Sequence, residues 1–389
     1  MISVEEAFAR CLALVAPLGA ETVPLAQAAG RWMCAPAVAT RDQPPFDASA
    51  MDGYAVLGDP GPDDNFLVIG EAGAGHAFQG EVRPGQAVRI FTGAPLPPGA
   101  TRVIIQEDVV RFDDRILLRE GLDAARHVRP KGQDFRAGDR LSPRRLRANE
   151  LALLAAMNIP KVTVSRRPVV ALVSTGDELV MPGENPRPDQ IIASNGFALK
   201  AMVEEAGGEA RLLPIARDNL AELETVLGLT EGADLVVTSG GASVGDHDLV
   251  GQVAGLERAF WKIAVRPGKP LIAGRLRGIP MLGLPGNPVS AIVCGHLFLL
   301  PMLRAMLGMP DPAPRPRVAL AGVDLPANGP RAHYMRARLV EAEGLPVITP
   351  FDRQDSALLT ILGEANALLI RPVNGGPVAA GTRVPYLPL

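Results

Sequence analysis

Residues 168–178, Pro168-Val169-Val170-Ala171-Leu172-Val173-Ser174-Thr175-Gly176-Asp177-Glu178, set a short apolar run directly against a polar turn that holds a glycine. The run does not alternate, so it predicts a strand buried on both faces, as in a parallel sheet covered by helices. The same grammar returns up to Gly308. Leu212–Ile215, Leu235–Thr238, Ile263–Val265 and Met281–Leu284 each lead into a polar or proline-rich turn. Helical patterns lie between them at Asn195–Ala206, followed by Gly207-Gly208, and at Leu220–Leu229. Strands alternating with helices predict a mostly parallel sheet with helices on both faces.

Outward from this core the pattern changes. Ser3 and Glu6 have capping-box spacing, and Val4, Ala7, Phe8, Cys11, Leu12 and Val15 form one helical stripe. From Gly53 to Leu118, short β-branched runs alternate with turns such as Asp59-Pro60-Gly61-Pro62, predicting a small inserted β module. Pro312, Pro314 and Pro316 mark a stiff linker before further short strands, predicting a C-terminal barrel or sandwich. The expected fold class is multidomain α/β plus β: a linking α/β segment (1–43 and 144–166), an inserted β-rich domain (44–143), the central α/β domain (167–310) and a C-terminal β-barrel (311–389).

Composition excludes several classes. The 389 residues are 47% hydrophobic and 21% charged, enough apolar material for a folded core. A formal charge of −3 and 4% aromatic residues argue against a broad nucleic-acid or anionic-membrane surface. Only the segment Arg126–Arg147 is locally basic, with eight basic and two acidic residues. Such a run is usually a solvated face, and here it is also a candidate wall for an anion. Three widely spaced cysteines, Cys11, Cys34 and Cys294, give no disulfide framework. With an acidic start at Glu5-Glu6 and an apolar stretch, Ala291–Leu303, too short to span a bilayer, the expected location is the cytoplasm.

Ligands of open parallel sheets bind beyond the carboxyl ends of the strands. Five segments follow the predicted strands: Ser174 to Glu178, Arg217-Asp218, Ser239 to Asp248, Arg266 to Pro270, and Pro285 to Ser290. Turns need glycine and proline, but not this many carboxylates, hydroxyls and cations together. Ser239, Gly240, Gly241, Ser243 and Gly245 offer hydroxyls and approachable backbone N–H groups, as a phosphate cradle requires. Asn287 and Pro288 suit the start of a helix, whose N-terminus attracts anions. Arg266 and Lys269 add positive charge, and Asp177, Glu178, Asp218, Asp246 and Asp248 suit a hard cation such as Mg²⁺. Known alternatives fail. Gly240–Gly245 is not GxGxxG, Lys269 is followed by Pro270 and so ends no Walker A loop, and there is no HExxH. Gly241–Gly245 matches GxSxG, but Ser239-Gly240 separates it from its strand, unlike a nucleophile elbow. His247, between two aspartates, reads as a surface ion pair.

Seven motifs then occur in order: Phe46–Val56 (FDASAMDGYAV), Thr92–Pro95 (TGAP), Gly132–Asp134 (GQD), Ser174–Leu179 (STGDEL), Ser239–Gly245 (SGGASVG), Arg266–Pro270 (RPGKP) and Leu284–Ala291 (LPGNPVSA). In this order they resemble the molybdopterin molybdenumtransferase family of the MoeA type, which includes the E domains of plant and animal molybdenum cofactor proteins. The resemblance covers almost the whole chain. It implies insertion of molybdate into adenylylated molybdopterin with Mg²⁺ present and AMP released, by an elongated four-domain homodimer whose cleft the partner subunit completes. It assigns functional roles to Asp52, Thr92, Asp134, Glu178, Asp218 and Asp248, with Glu178, Asp218 and Asp248 as the expected Mg²⁺ ligands. It places Pro285 and Pro288 among the functional prolines and Lys269 and Ser290 near molybdate. Ser174, Thr175, Asp177, Gly286 and Asn287 complete the expected substrate contacts.

The chain departs from the family pattern at Arg266, where lysine is frequent, at Ala193, where an aspartate is found in some relatives, and at Asp355-Ser356, where Gly-Ser is frequent. No site residue is therefore drawn from the C-terminal part. The resemblance also points to contact with the molybdopterin adenylyltransferase and with apo-molybdoenzymes. Rival readings are an adenylyltransferase, which resembles the α/β domain alone, and a cofactor-holding scaffold without turnover.

Overall fold

The computed structural model describes residues 1–240 and 250–389. The chain divides into two compact units, Thr22–Val164 and the combination of Met1–Glu21 with Ser165–Leu389.

In the second of these a six-stranded sheet has the order Glu209–Leu212, Val169–Ser174, Leu235–Ser239, Ile279–Leu284, Ile272–Leu276, Leu256–Trp261. The first four strands are parallel, and the last two are antiparallel to their neighbours. Strand period two assigns alternate residues to two cores. Val170, Leu172, Val237 and Leu282 meet the helices Val4–Ala13 and Asn195–Glu205 and the long helix from Pro288. Val173, Val236 and Met281 meet the helix Leu220–Gly228. Helix starts follow the expected chemistry at two places: Ser3 Oγ accepts from Glu6 N–H at 3.1 Å, and Asn219 Oδ1 accepts from Glu222 N–H at 2.9 Å. The helical run Pro288–Met306, with a π segment at Gly295–Leu299, is long and apolar enough to cross a membrane by length and composition only. It is longer than the apolar stretch read from the sequence, and it is mostly buried, filling the larger core.

Two expected strands differ. The edge strand is Glu209–Leu212, not Leu212–Ile215. Pro214 has no N–H for a ladder, and an edge strand tolerates the exposed Glu209 and Arg211. Ile263–Val265 is not a strand of this sheet. The strand there is Leu256–Trp261, ended by Lys262 at φ 66°, and Val265–Arg266 instead pairs in parallel with Ala332–His333 of the C-terminal domain. The sequence reading also missed the hairpin Ile272–Leu276/Ile279–Leu284. Its two turn residues, Arg277 and Gly278, both have positive φ (50° and 84°), as a tight primed hairpin turn requires.

The C-terminal domain is a closed barrel. Ala332–Val340, Val347–Pro350, Arg317–Ala321, Arg383–Pro388 and Ala367–Arg371 pair in that order, and Ala332–Val340 pairs with Ala367–Arg371 to close the ring.

The unit Thr22–Val164 holds a four-stranded and a six-stranded sheet, with two short two-stranded pairs, Ala48–Ser49 with Val128–Arg129 and Ala37–Val38 with Arg140–Leu141. The four-stranded sheet joins Ala20–Pro24, Lys161–Ser165, Trp32–Met33 and Arg144–Arg145 around Met33, Leu146, Leu154 and Val164. The β module is a six-stranded sheet, in the order Arg102–Ile105, Gly53–Val56, Gln86–Ile90, Asn65–Ala72, Arg115–Leu118, Val109–Phe112. Alternate residues of Tyr54-Ala55-Val56 feed two separate small cores on its faces. Within the basic segment, Arg126 pairs with Asp59 at 3.3 Å and Lys131 with Asp42 at 3.4 Å.

Candidate functional site

The register aligns Ser174 with Ser239 and Ser239 with Leu284, so three parallel strands end level. The turns beginning at Thr175, Gly240 and Pro285 therefore leave the sheet side by side. The connection 262–271 emerges at the same edge, because Leu256–Trp261 runs in the same sense as those strands. The expected gathering of segments thus holds, through a different strand than the one foreseen. Gly240 has φ +93°, and a β-carbon there would lie 2.4 Å from the Thr175 carbonyl oxygen. Only glycine lets the two turns cross so closely. Ser174 Oγ and Ser239 Oγ are 3.4 Å apart. A cavity of about 200 Å³ opens over them, lined also by Thr175, Glu178, Ile191, Asn195, Gly286 and Pro288. Thr175 is buried, and among the described residues its hydroxyl has no hydrogen-bond partner. Buried hydroxyls are normally satisfied, so an unsatisfied one in a cleft wall is a point where a ligand gains a bond.

The carboxylates of this edge are exposed. Asp218 N–H donates to Asp177 Oδ1 at 3.0 Å, Asp177 N–H donates to Asp218 Oδ2 at 3.4 Å, and Arg217 Nη1 fixes the same turn through the carbonyls of Asp177 and Leu179. Glu178 folds back over Gly176, where a β-carbon would meet its Oε2 at 2.3 Å. Among the described residues no three metal-binding side chains converge. Mg²⁺ commonly takes only one or two carboxylates and completes its shell with water and substrate phosphate, so the oxygen donors Glu178 and Asp218 fit such an ion without caging it. The third expected ligand, Asp248, lies outside the described residues, as do Gly241, Ser243, Gly245, Asp246 and His247.

Positive charge comes from the 262–271 connection. Arg266 and Lys269 are exposed. Gly268, at φ +113°, packs so tightly on the helix after Pro288 that a β-carbon would lie 2.3 Å from Cys294 Sγ and 4.0 Å from the Ser290 carbonyl oxygen. This contact brings the Arg266–Lys269 bend beside buried Ser290. Burial first, then the charges of Arg266, Arg331, Arg336 and Arg371, push the His333 imidazole down to about 4. The same field favours an anion. Pro285 is buried and Pro288 stands at the first helical turn as expected. Asn287 occupies the cap position, but its side chain makes no cap bond. Its Nδ2 donates to Ser356 Oγ at 2.9 Å, and Val289 N–H donates to the Ser356 carbonyl at 3.1 Å. Asn195 Nδ2 donates to the Gly286 carbonyl at 2.7 Å. Ser356 and Leu359, which also lines the cavity, are barrel-domain contributions that the sequence reading left out. The signal was the family pattern at Asp355-Ser356, set aside because Asp355 departs from it while Ser356 keeps the serine.

The other predicted residues lie in the unit Thr22–Val164. Both the Thr92 N–H and the Thr92 hydroxyl donate to Asp52 Oδ1 at 2.7 Å. These two bonds, then the charge of Arg89, hold the Asp52 carboxyl below the usual carboxylate range. The segment around Asp52 is threaded between two others: Ser49 N–H bonds the Ala94 carbonyl, Gly93 N–H bonds Ser49, and Ala50 N–H bonds His127. Asp134 is tied by its N–H to the Gln43 carbonyl at 2.9 Å. The structure therefore joins Asp52 to Thr92 directly, while Asp134 stands on the neighbouring segment with an exposed carboxylate.

Family models cover most of the chain in three pieces: the MoeA N-terminal region (domains I and II) over residues 2–158, a probable molybdopterin-binding domain over 171–305, and the MoeA C-terminal region (domain IV) over 318–389. A molybdopterin molybdenumtransferase of Nostoc sp. is 36% identical over 95% of this chain and 88% of its own length. A second, from Mycobacterium tuberculosis, is 35% identical over 93% of each. The crystal structure of the molybdopterin biosynthesis MoeA protein from Pyrococcus horikosii aligns with 100% of this chain and 99% of its own at a TM-score of 0.81 and 31% identity. With end-to-end similarity at these identities and the same ordered motifs on one sheet edge and one β module, the chain belongs to the molybdopterin molybdenumtransferase family of the MoeA type.

Proposed function

We propose that this protein inserts molybdenum into molybdopterin, taking molybdate and adenylylated molybdopterin as substrates and releasing AMP. The observation that carries the reading is the cleft at the end of the parallel sheet, floored by Ser174, Thr175 and Ser239, with the Thr175 hydroxyl buried and, among the described residues, unpartnered. A pterin linked through pyrophosphate to AMP is a long anion, and molybdate is a second one. Hydroxyls, backbone N–H groups and the field around Arg266 suit both. In this reading the Ser174, Thr175 and Ser239 hydroxyls hold the nucleotide-pterin, and Lys269, Arg266 and Ser290 hold molybdate. Asp52, Thr92 and Asp134 are functional polar residues of the unit Thr22–Val164 in this reading. Glu178 and Asp218, with Asp248, are the carboxylates for Mg²⁺, which when bound neutralises charge at the pyrophosphate.

We further propose a cytoplasmic homodimer with the four-part division 1–43 with 144–166, 44–143, 167–310 and 311–389, in contact with the adenylyltransferase and with apo-molybdoenzymes. The test is AMP release from adenylylated molybdopterin in the presence of molybdate and Mg²⁺. Release above a heat-inactivated control is expected, and none would overturn the reading. Lys269→Ala should raise the half-saturating molybdate concentration about tenfold, the scale of one charged hydrogen bond. An unchanged molybdate titration would remove Lys269 from the site.

A further inference from the structure

Asp52, Tyr54, Arg89 and Phe91 share one face of the β module. The antiparallel register sets Tyr54 opposite Arg89 and Gly53 opposite Ile90, so Asp52 falls opposite Phe91 and diagonal to Arg89. The Arg89 guanidinium lies between two rings, 5.0 Å from the Tyr54 centroid and 4.9 Å from that of Phe91. From there it reaches across the Gly53–Val56 strand. Nη1 donates to the Gly53 carbonyl at 3.2 Å, and Nη2 donates to Gln106 Oε1 at 2.7 Å. Gln106, following the strand on the other flank, donates its own N–H to the Asp52 carbonyl at 3.1 Å. The carbonyls of Asp52 and Gly53 are thus gripped by one connected clasp, Arg89 to Gln106, at the point where the chain presents the Asp52 carboxylate to Thr92.

A half-buried guanidinium packed on two aromatic rings and aimed at a backbone carbonyl and a glutamine side chain is costly to arrange if its only task is to stay in solution. Among the described residues it forms no ion pair that would explain it as a surface salt bridge. We propose that Arg89 is a positioning residue for the Asp52–Thr92 pair, acting through the backbone clasp without touching the substrate. The inference rests on the reading that gives this pair a part in the reaction, and names the residue that fixes its geometry.

The test is a double-mutant cycle on AMP release, with kcat and KM measured separately for Arg89→Gln, Asp52→Asn and the double variant. Arg89→Gln is expected to lower kcat about tenfold or more with KM nearly unchanged, and to cost less than about twofold on the Asp52→Asn background. Arg89→Lys, which keeps the charge but not the fork, should not restore kcat. Gln106→Ala removes only the far anchor, so it should give the same pattern at smaller size. It also keeps the test open if Arg89→Gln does not fold, as thermal melting would reveal. Equal losses on both backgrounds, a loss confined to KM, or full rescue by lysine would each overturn the clasp. Near-normal turnover of Asp52→Asn would instead overturn the functional reading of the pair.

Discussion

At the end of the parallel sheet, the buried hydroxyls of Thr175 and Thr238 have no partner among the described residues, whereas in the β module one carboxylate oxygen of Asp52 takes two donors from Thr92. The first region is built from neutral groups with bonding capacity left over, on turns that cross at a glycine. The second is built from a charge, one oxygen of which already accepts two hydrogen bonds. The contrast separates two ways of preparing a site. Unsatisfied buried donors weaken the free protein slightly and are completed by a ligand. A carboxylate anchored through one oxygen is held in one orientation before any ligand arrives.

The largest effect should come from closing the crossing of the turns. Gly240→Ala would force a β-carbon against the Thr175 carbonyl at a positive φ, and we expect a loss of about 2–4 kcal/mol in stability. A thermal midpoint within a degree or two of the parent would show that the turns can separate freely. A smaller effect distinguishes free hydroxyls from bonded ones. Thr175→Val replaces the unpartnered hydroxyl by a methyl of similar shape, so stability should hold or rise slightly. Affinity for the nucleotide-pterin should fall about tenfold, the scale of one hydrogen bond of about 1.4 kcal/mol. A clear drop in stability would mean that the hydroxyl is satisfied in the free protein. The least effect is a pH dependence. Asp52 has a folded pKa below its unfolded value, so its contribution is fully present above the unfolded value near 3.9 and is lost as pH falls through the lower, folded one. Asp52→Asn should flatten the acid side of the stability profile below about pH 4 and leave the neutral side unchanged. The cleft floor is built of hydroxyls and gives no counterpart. If the acid limb keeps its parent slope in Asp52→Asn, the two Thr92 bonds do not lower the carboxyl.

Much of the molecule was legible in the sequence. Val169–Ser174 and Leu235–Ser239 appear where unbroken apolar runs stand, because strands buried on both faces need no polar alternation. The gathering of Ser174, Thr175, Ser239 and Gly286 follows from parallel strands ending together. Asp52 and Thr92 were singled out only as parts of motifs, since neither stands in a periodic segment. Their direct bond could not be read from spacing, because it crosses forty residues.

The sequence by itself determined the burial pattern, the helix start at Ser3, and the ordered motifs that mark the family. Each of these is local, set by side-chain period, by capping chemistry or by a short run of residues. Only the tertiary structure decided which strands are neighbours. It turned Ile272–Leu276 antiparallel to both its neighbours, sent Val265–Arg266 to the barrel, and drew the Asn287 side chain to Ser356 in place of a helix cap. It also stretched Arg89 across a strand to Gln106. Periodicity reports which face of a segment leaves water, and that is an area effect with little regard for partner. Pairing, register and side-chain clasps depend on directional bonds between distant residues, and these exist only once the chain has closed on itself.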